Sequence, residues 1–234
     1  MTATLIVAAT VLSYAIGWVI GRPLLVPVLN TLASYCFMVA AIRRGDLRLA
    51  FGRMLVWALA LGVCSTLLSY AHPLRTDSLF LRGEAYRREM FAWVLTGRGA
   101  ESTPSLFIPQ QLGHAALFSG LALATGSALA MPMGAILMNY MGHYVGSLAA
   151  ASRHPSATMI LAWVPWAVIR IVSFVAIGVV LAAPLVGRVL RVPVDWATGR
   201  RMLAWAGAGL VADIVLKALL APAWQRMLLR VVGG

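Results

Sequence analysis

The apolar residues of this chain fall into six or seven blocks, each long enough to cross a bilayer. Short arginine-bearing connections separate them. A transmembrane helix needs about 20 consecutive apolar residues, and a single block of that kind is also compatible with a buried core helix. Six or seven in 234 residues leave no polar shell to cover them. Hydrophobic residues make up 61% of the chain and charged residues 11%, against about 25% charged in a soluble domain. The reading is an all-α, polytopic bundle of six to seven transmembrane helices plus one amphipathic helix lying at the interface. It forms a single integral membrane domain over residues 1–234. The longest polar stretch, His72 to Gln111, is too short for an independent soluble fold.

The formal charge of +12 is carried almost wholly by arginine. These arginines flank apolar blocks, which points to anionic lipid headgroups as partners and not to nucleic acid. Cys36 and Cys64 lie inside apolar blocks, where they act as small hydrophobes. No Cys or His spacing suggests a metal site, and no cofactor is expected. The amino terminus lacks a basic n-region, so it is expected to remain as the first transmembrane helix.

The expected spans are residues 4–20, 24–42, 54–71, 112–130, 135–151, 158–183 and 202–220. Residues 79–95 read as the interfacial helix. Phe80, Tyr86, Met90, Phe91 and Trp93 would face lipid, and Arg82, Glu84, Arg87, Arg88 and Glu89 water. From Leu112 to Ala151 the sequence is apolar for 40 residues. A straight helix of that length would be about 60 Å long, twice the hydrocarbon thickness. A break is therefore expected, and Met131-Pro132-Met133-Gly134 is the expected place. The short connections holding Arg43, Arg44, Arg48, Arg53, Arg188, Arg191, Arg200 and Arg201 favour the inside.

Two constellations stand out. In the span over 135–151, Gly142, Gly146 and Ala150 recur every four residues, a spacing that lets a second helix backbone come close. Asn139, His143 and Ser147 recur beside them, so one face is both small and polar. Such a face turns towards protein or a polar path, because lipid cannot satisfy it. The second constellation is ionic. Arg170 reads as lying near mid-bilayer, where it costs about 2.5–3.5 kcal/mol on insertion scales. Asp213 is the one carboxylate deep enough to meet it, so an Arg170–Asp213 pair is expected. Lys217 would pair with Asp213 one turn away, or extend to the interface.

No HExxH, GxSxG or phosphate-binding glycine loop is present, so no catalytic residue is expected. The segment from Ser105 to Gly187 resembles the stage II sporulation protein M family of membrane proteins. The residues that carry the likeness are Gln110-Gln111, the small-residue run GLALATGSALAMPMGAILMNYMGHYVGSLA and the helix ILAWVPWAVIRIVSFVAIGVVLAAPLVG. The resemblance implies a non-enzymatic membrane subunit that anchors or recruits partners. The first expectation is therefore a subunit or scaffold of a larger assembly in a bacterial inner membrane, bound to a protein partner or to copies of itself. The alternative is a transporter component, with a polar path lined by Asn139, His143, Arg170 and Asp213. A weaker third expectation is an intramembrane enzyme using His143 and Asp213.

Overall fold

The computed structural model describes residues 1–233 and is all helical. Its α-helices are α1 (Thr2–Ile20), α2 (Leu25–Ile42), α3 (Leu47–Ala71), α4 (Pro73–Leu79), α5 (Gly83–Thr96), α6 (Pro104–Thr125), α7 (Ala130–Ala150), α8 (Pro155–Ala162), α9 (Pro165–Leu190) and α10 (Trp196–Gly233). A 3₁₀ turn over Ala100–Ser102 precedes α6. There is no strand among the described residues. Five helices, α1, α2, α3, α9 and α10, are long and apolar enough to cross a membrane. Their outward faces carry bare Leu, Val and Trp, including Leu59, Trp205 and Leu219. Water would not tolerate such a surface, whereas a lipid solvent does.

Helix α7 is the hub. A Cβ added at Gly142 would sit 1.8 Å from Ser65 Oγ, and one at Gly146 would sit 2.2 Å from the Thr66 carbonyl oxygen. The two glycines thus let α7 lie against the backbone of α3, the use expected of small residues at four-residue spacing. On its other side α7 meets α5, whose Met90, Trp93 and Val94 pack with Tyr144, Val145 and Leu148.

Several boundaries differ from the expected ones, each for a local reason. Helix α3 begins at Leu47, seven residues early, because Asp46 caps it by accepting the Leu49 N–H at 2.8 Å. The hairpin break falls at Gly126–Leu129, not at Met131–Gly134. Gly126 ends α6 in the left-handed conformation at φ 58°, the usual role of glycine there. Pro132 lies in the first turn of α7, where its missing N–H leaves no helical bond unmade. Gly126 and Ser127 are buried against protein, with Ser127 donating to the Gly178 carbonyl at 2.6 Å, whereas Ala128 and Leu129 are exposed.

The span over 158–183 is two helices. Val164 is extended ahead of Pro165, which becomes the first residue of α9. Helix α10 runs on to Gly233 through Pro222, well past the expected end at residue 220. The interfacial helix is also corrected. It is α4 and α5, joined at Phe80–Arg82, with Arg82 at φ 55°. Its apolar face covers protein instead of lipid: Phe80, Met90 and Trp93 are all buried.

Candidate functional site

Two polar systems lie inside the bundle, on opposite faces of α7. The first is a clasp. Tyr14 of α1 donates from its hydroxyl to Asn139 Oδ1. Asn139 donates from Nδ2 to Asn30 Oδ1 of α2 at 3.2 Å, and Asn30 donates to Ser13 at 2.8 Å. One turn along α7, His143 is fully buried. Its Nε2 lies 2.8 Å from Asp77 Oδ1 on α4, and its Nδ1 lies 3.0 Å from Ser69 Oγ on α3. A carboxylate only accepts, so Asp77 assigns the proton to Nε2 and leaves Nδ1 to accept from Ser69. Ser147 approaches the same Nδ1 at 3.3 Å.

Asp77 is held from the other side by Arg87, whose Nε and Nη2 reach its two oxygens at 2.9 and 2.7 Å. Burial pushes the Asp77 carboxyl up, but the hydrogen bonds and charges of Arg87 and His143 outweigh it. The carboxyl is held below its ordinary range. Arg87 was expected to face water, yet it is spent on this clasp. Trp93, also expected at the interface, donates from Nε1 to Ser102 at 2.6 Å inside the protein. Arg88 is on the surface and makes only an exposed pair with Glu84 at 3.6 Å.

Ser69, His143 and Asp77 have the composition of a hydrolase triad. Ser69 is fully buried, however, and the glycine-mediated seam of α3 and α7 closes over it. A reacting carbonyl therefore has no approach to the serine. His143 and Asp213, paired in the weakest of the three expectations, have separate partners.

The second system is an open cavity of about 520 Å³ on the opposite side of α7, bordered also by α2, α3, α5, α6, α9 and α10. That volume lies within the range of about 300–1,000 Å³ typical of small-molecule sites. Its two ends differ. One is lined by Arg82, Glu89, Glu101, Gln111, Arg170 and Lys217. The other is lined by Met54, Trp57, Met131, Phe174 and Val179.

Arg170 and Asp213 come together as expected, Nη1 to Oδ2 at 3.8 Å. Arg170 lies only six residues into α9, not deep within a long span, and its side chain opens on the cavity at 27% exposure. Lys217 departs from expectation. It pairs with Glu101 at 2.7 Å, not with Asp213, and its ammonium lies 4.6 Å from the Phe107 ring centroid. Asn139 and His143 do not line the cavity. The two constellations seen in the sequence thus belong to separate structures, a dry clasp and an open pocket.

The sequence reading missed Asp77, Glu101 and Gln111 as site residues. Asp77 and Glu101 lie in a stretch that reads as polar loop. Gln111 was noticed only beside its neighbour Gln110. Its amide is now the most informative group in the cavity, because neither Nε2 nor Oε1 has a hydrogen-bond partner although both atoms are buried. Among the described residues no group of three or more His, Cys, Asp or Glu is arranged to hold a metal. No protein-family model, curated protein or solved structure matches the chain.

Proposed function

We propose that this protein is a carrier or permease component of a bacterial inner membrane, with six to seven crossings. The crossings are α1, α2, α3, α9 and α10, together with one or both arms of the α6–α7 hairpin. Helical spans fit the cytoplasmic membrane, since outer-membrane spans are β-barrels. The arginine-rich connections suit anionic headgroups on that membrane.

The observation that carries the reading is the cavity and its placement. A scaffold has no use for a recess of about 520 Å³ at the meeting point of seven helices, because side chains that line a recess forfeit packing contacts with one another. A carrier needs such a space, bordered by side chains that discriminate its solute. Arg170 stands where a solute and the α9–α10 contact meet, so occupancy of the cavity acts directly on the Arg170–Asp213 pair. The expected path moves accordingly: it keeps Arg170, leaves out Asn139 and His143, and includes Asp213 only as the partner of Arg170.

The subunit reading, favoured by the resemblance to the stage II sporulation protein M family, takes the same bundle as an anchor. A stoichiometric protein partner in a mild-detergent pull-down would support it.

Water access tests the carrier reading. In a background with Cys36 and Cys64 replaced by alanine, His114→Cys and Arg170→Cys are treated in intact membranes with a water-soluble thiol reagent. Both should label, and His143→Cys should not. Protection of both cavity positions would overturn the carrier reading.

A further inference from the structure

The cavity is polar at one end and apolar at the other, and the division follows the helices. Along α9 the lining begins at Ala167 and changes character from Arg170 to Val179. The nine steps between them rise about 14 Å. Along α7 it runs in the opposite sense, from Met131 at the apolar end to Tyr140 at the polar end. The gradient therefore spans about 14 Å along the helix axes, close to one leaflet of a hydrocarbon core of about 30 Å. A water-soluble solute of this size would leave the Met54, Trp57, Phe174 and Val179 end unmatched. A molecule with a chain and a head would match both ends.

The chemistry of the head follows from what is already paired. Lys217 is neutralised by Glu101, and Arg170 faces Asp213. Among the described residues, Arg82 and Glu89 line the cavity with no ion-pair partner in the protein. Both side chains are exposed, so it is the mouth of the polar end that offers one uncommitted cation and one uncommitted anion. The Gln111 amide, whose Nε2 and Oε1 are buried, lines the same cavity and offers an unsatisfied donor and an unsatisfied acceptor. Buried polar atoms without partners are rare in folded proteins, and a ligand that supplies the missing partners explains them. A singly anionic head would leave Glu89 facing like charge, and an uncharged head would use neither ion.

We infer that the cavity binds a zwitterionic membrane amphiphile. Its chain lies along α9 towards Val179, and its anionic and ammonium groups meet Arg82 and Glu89. This rests on the carrier reading for its biological use, but not for its geometry.

The test is equilibrium binding to the purified full chain in mild detergent, followed by native mass spectrometry. Three probes share one acyl chain: lysophosphatidylethanolamine, lysophosphatidylglycerol and monoacylglycerol. One equivalent of the zwitterionic probe should bind, at least about tenfold more tightly than the other two. Equal or tighter binding of the anionic or uncharged probe would overturn the head assignment. Absence of saturable binding by any probe would overturn the amphiphile.

The site is tested by Gly178→Phe, which fills the apolar end beside Phe118 and should weaken the zwitterionic probe at least tenfold. Undiminished binding would overturn the location. If that variant does not fold, Arg82→Gln at the exposed mouth replaces it. This change should abolish the preference for the zwitterionic over the uncharged probe, and a retained preference would overturn the proposal. The thiol labelling separates the two ideas. Labelled cavity positions without probe binding would sink the amphiphile and leave the carrier. Probe binding with protected positions would sink the carrier and leave the amphiphile site.

Discussion

At the scale of single residues, Asp77 has the greatest influence for its size. One carboxylate orients the His143 ring, receives both arms of Arg87 and ties α4 to α7. Asp77→Ala leaves a buried imidazole N–H and a half-buried guanidinium without acceptors. Hydrogen bonds to charged groups are worth about 1.5–3 kcal/mol each, so a loss of about 3 kcal/mol is expected, read as a lowered midpoint in thermal unfolding in detergent. The same group sets a pH dependence. The folded carboxyl titrates below its ordinary value. Its stabilising contribution is therefore complete above about pH 4, the unfolded value, and is lost as pH falls through the lower, folded value. Unfolding midpoints of the wild type and Asp77→Ala should converge in acid; parallel curves would contradict the assignment.

At the scale of elements, the seam between α3 and α7 decides the packing. Gly146→Ala places a methyl group 2.2 Å from the Thr66 carbonyl oxygen. The helices must part, at a cost of about 3 kcal/mol, the upper range for overpacking. Gly120→Ala is the control. Nothing lies within 4 Å of its added Cβ, so it should be neutral or stabilising by up to about 1 kcal/mol through helix propensity.

That seam was legible in the sequence because four-residue spacing on a helix is a local geometric fact. The Arg170–Asp213 pair was legible by elimination, since only one carboxylate lay deep enough. The element boundaries were less legible. Pro132 drew the hairpin turn to itself, whereas glycine in the left-handed region ended the helix six residues earlier. Pro165 lies inside the expected 158–183 span and is a helix start. The amphipathic pattern of α5 was real, but periodicity cannot tell a face that meets lipid from one that meets Tyr144 and Trp166. Partners such as Asp77 for His143, or Glu101 for Lys217, are 66 and 116 residues away, and no local pattern encodes them.

At the scale of the whole molecule, the clasp and the cavity divide the labour. The clasp locks α1, α2, α3 and α4 to one face of α7 with dry hydrogen bonds. The cavity lies on the other face, where α9 and α10 are joined through Arg170 and Asp213. Asp213→Arg would put a third cation beside Arg170 and Lys217 in an apolar setting. Accumulation of folded protein in the membrane fraction should be lost, whereas Asp213→Asn, which keeps the shape, should retain most of it. Full accumulation of Asp213→Arg would mean that the pair has no structural role.

The reach of the clasp along the chain bears on how the protein is made. Tyr14 and Asn139 are 125 residues apart. Translation proceeds at about 5–20 residues per second, so on the order of ten seconds separates their emergence from the ribosome. Throughout that interval the first three helices have no α7 to cover them, and Tyr14, Asn30 and Ser69 have no Asn139 or His143 to meet. The bonds from Asn30 to Ser13, from Tyr14 to the Leu61 carbonyl and from Trp57 to the Asn30 carbonyl lie within α1–α3 and can form early, but the Asn30 side-chain oxygen and the Ser69 hydroxyl still lack their α7 partners. A chain interrupted before α7 would therefore display hydrophilic groups within the lipid phase, a mark by which a membrane protease can tell unfinished copies from finished ones.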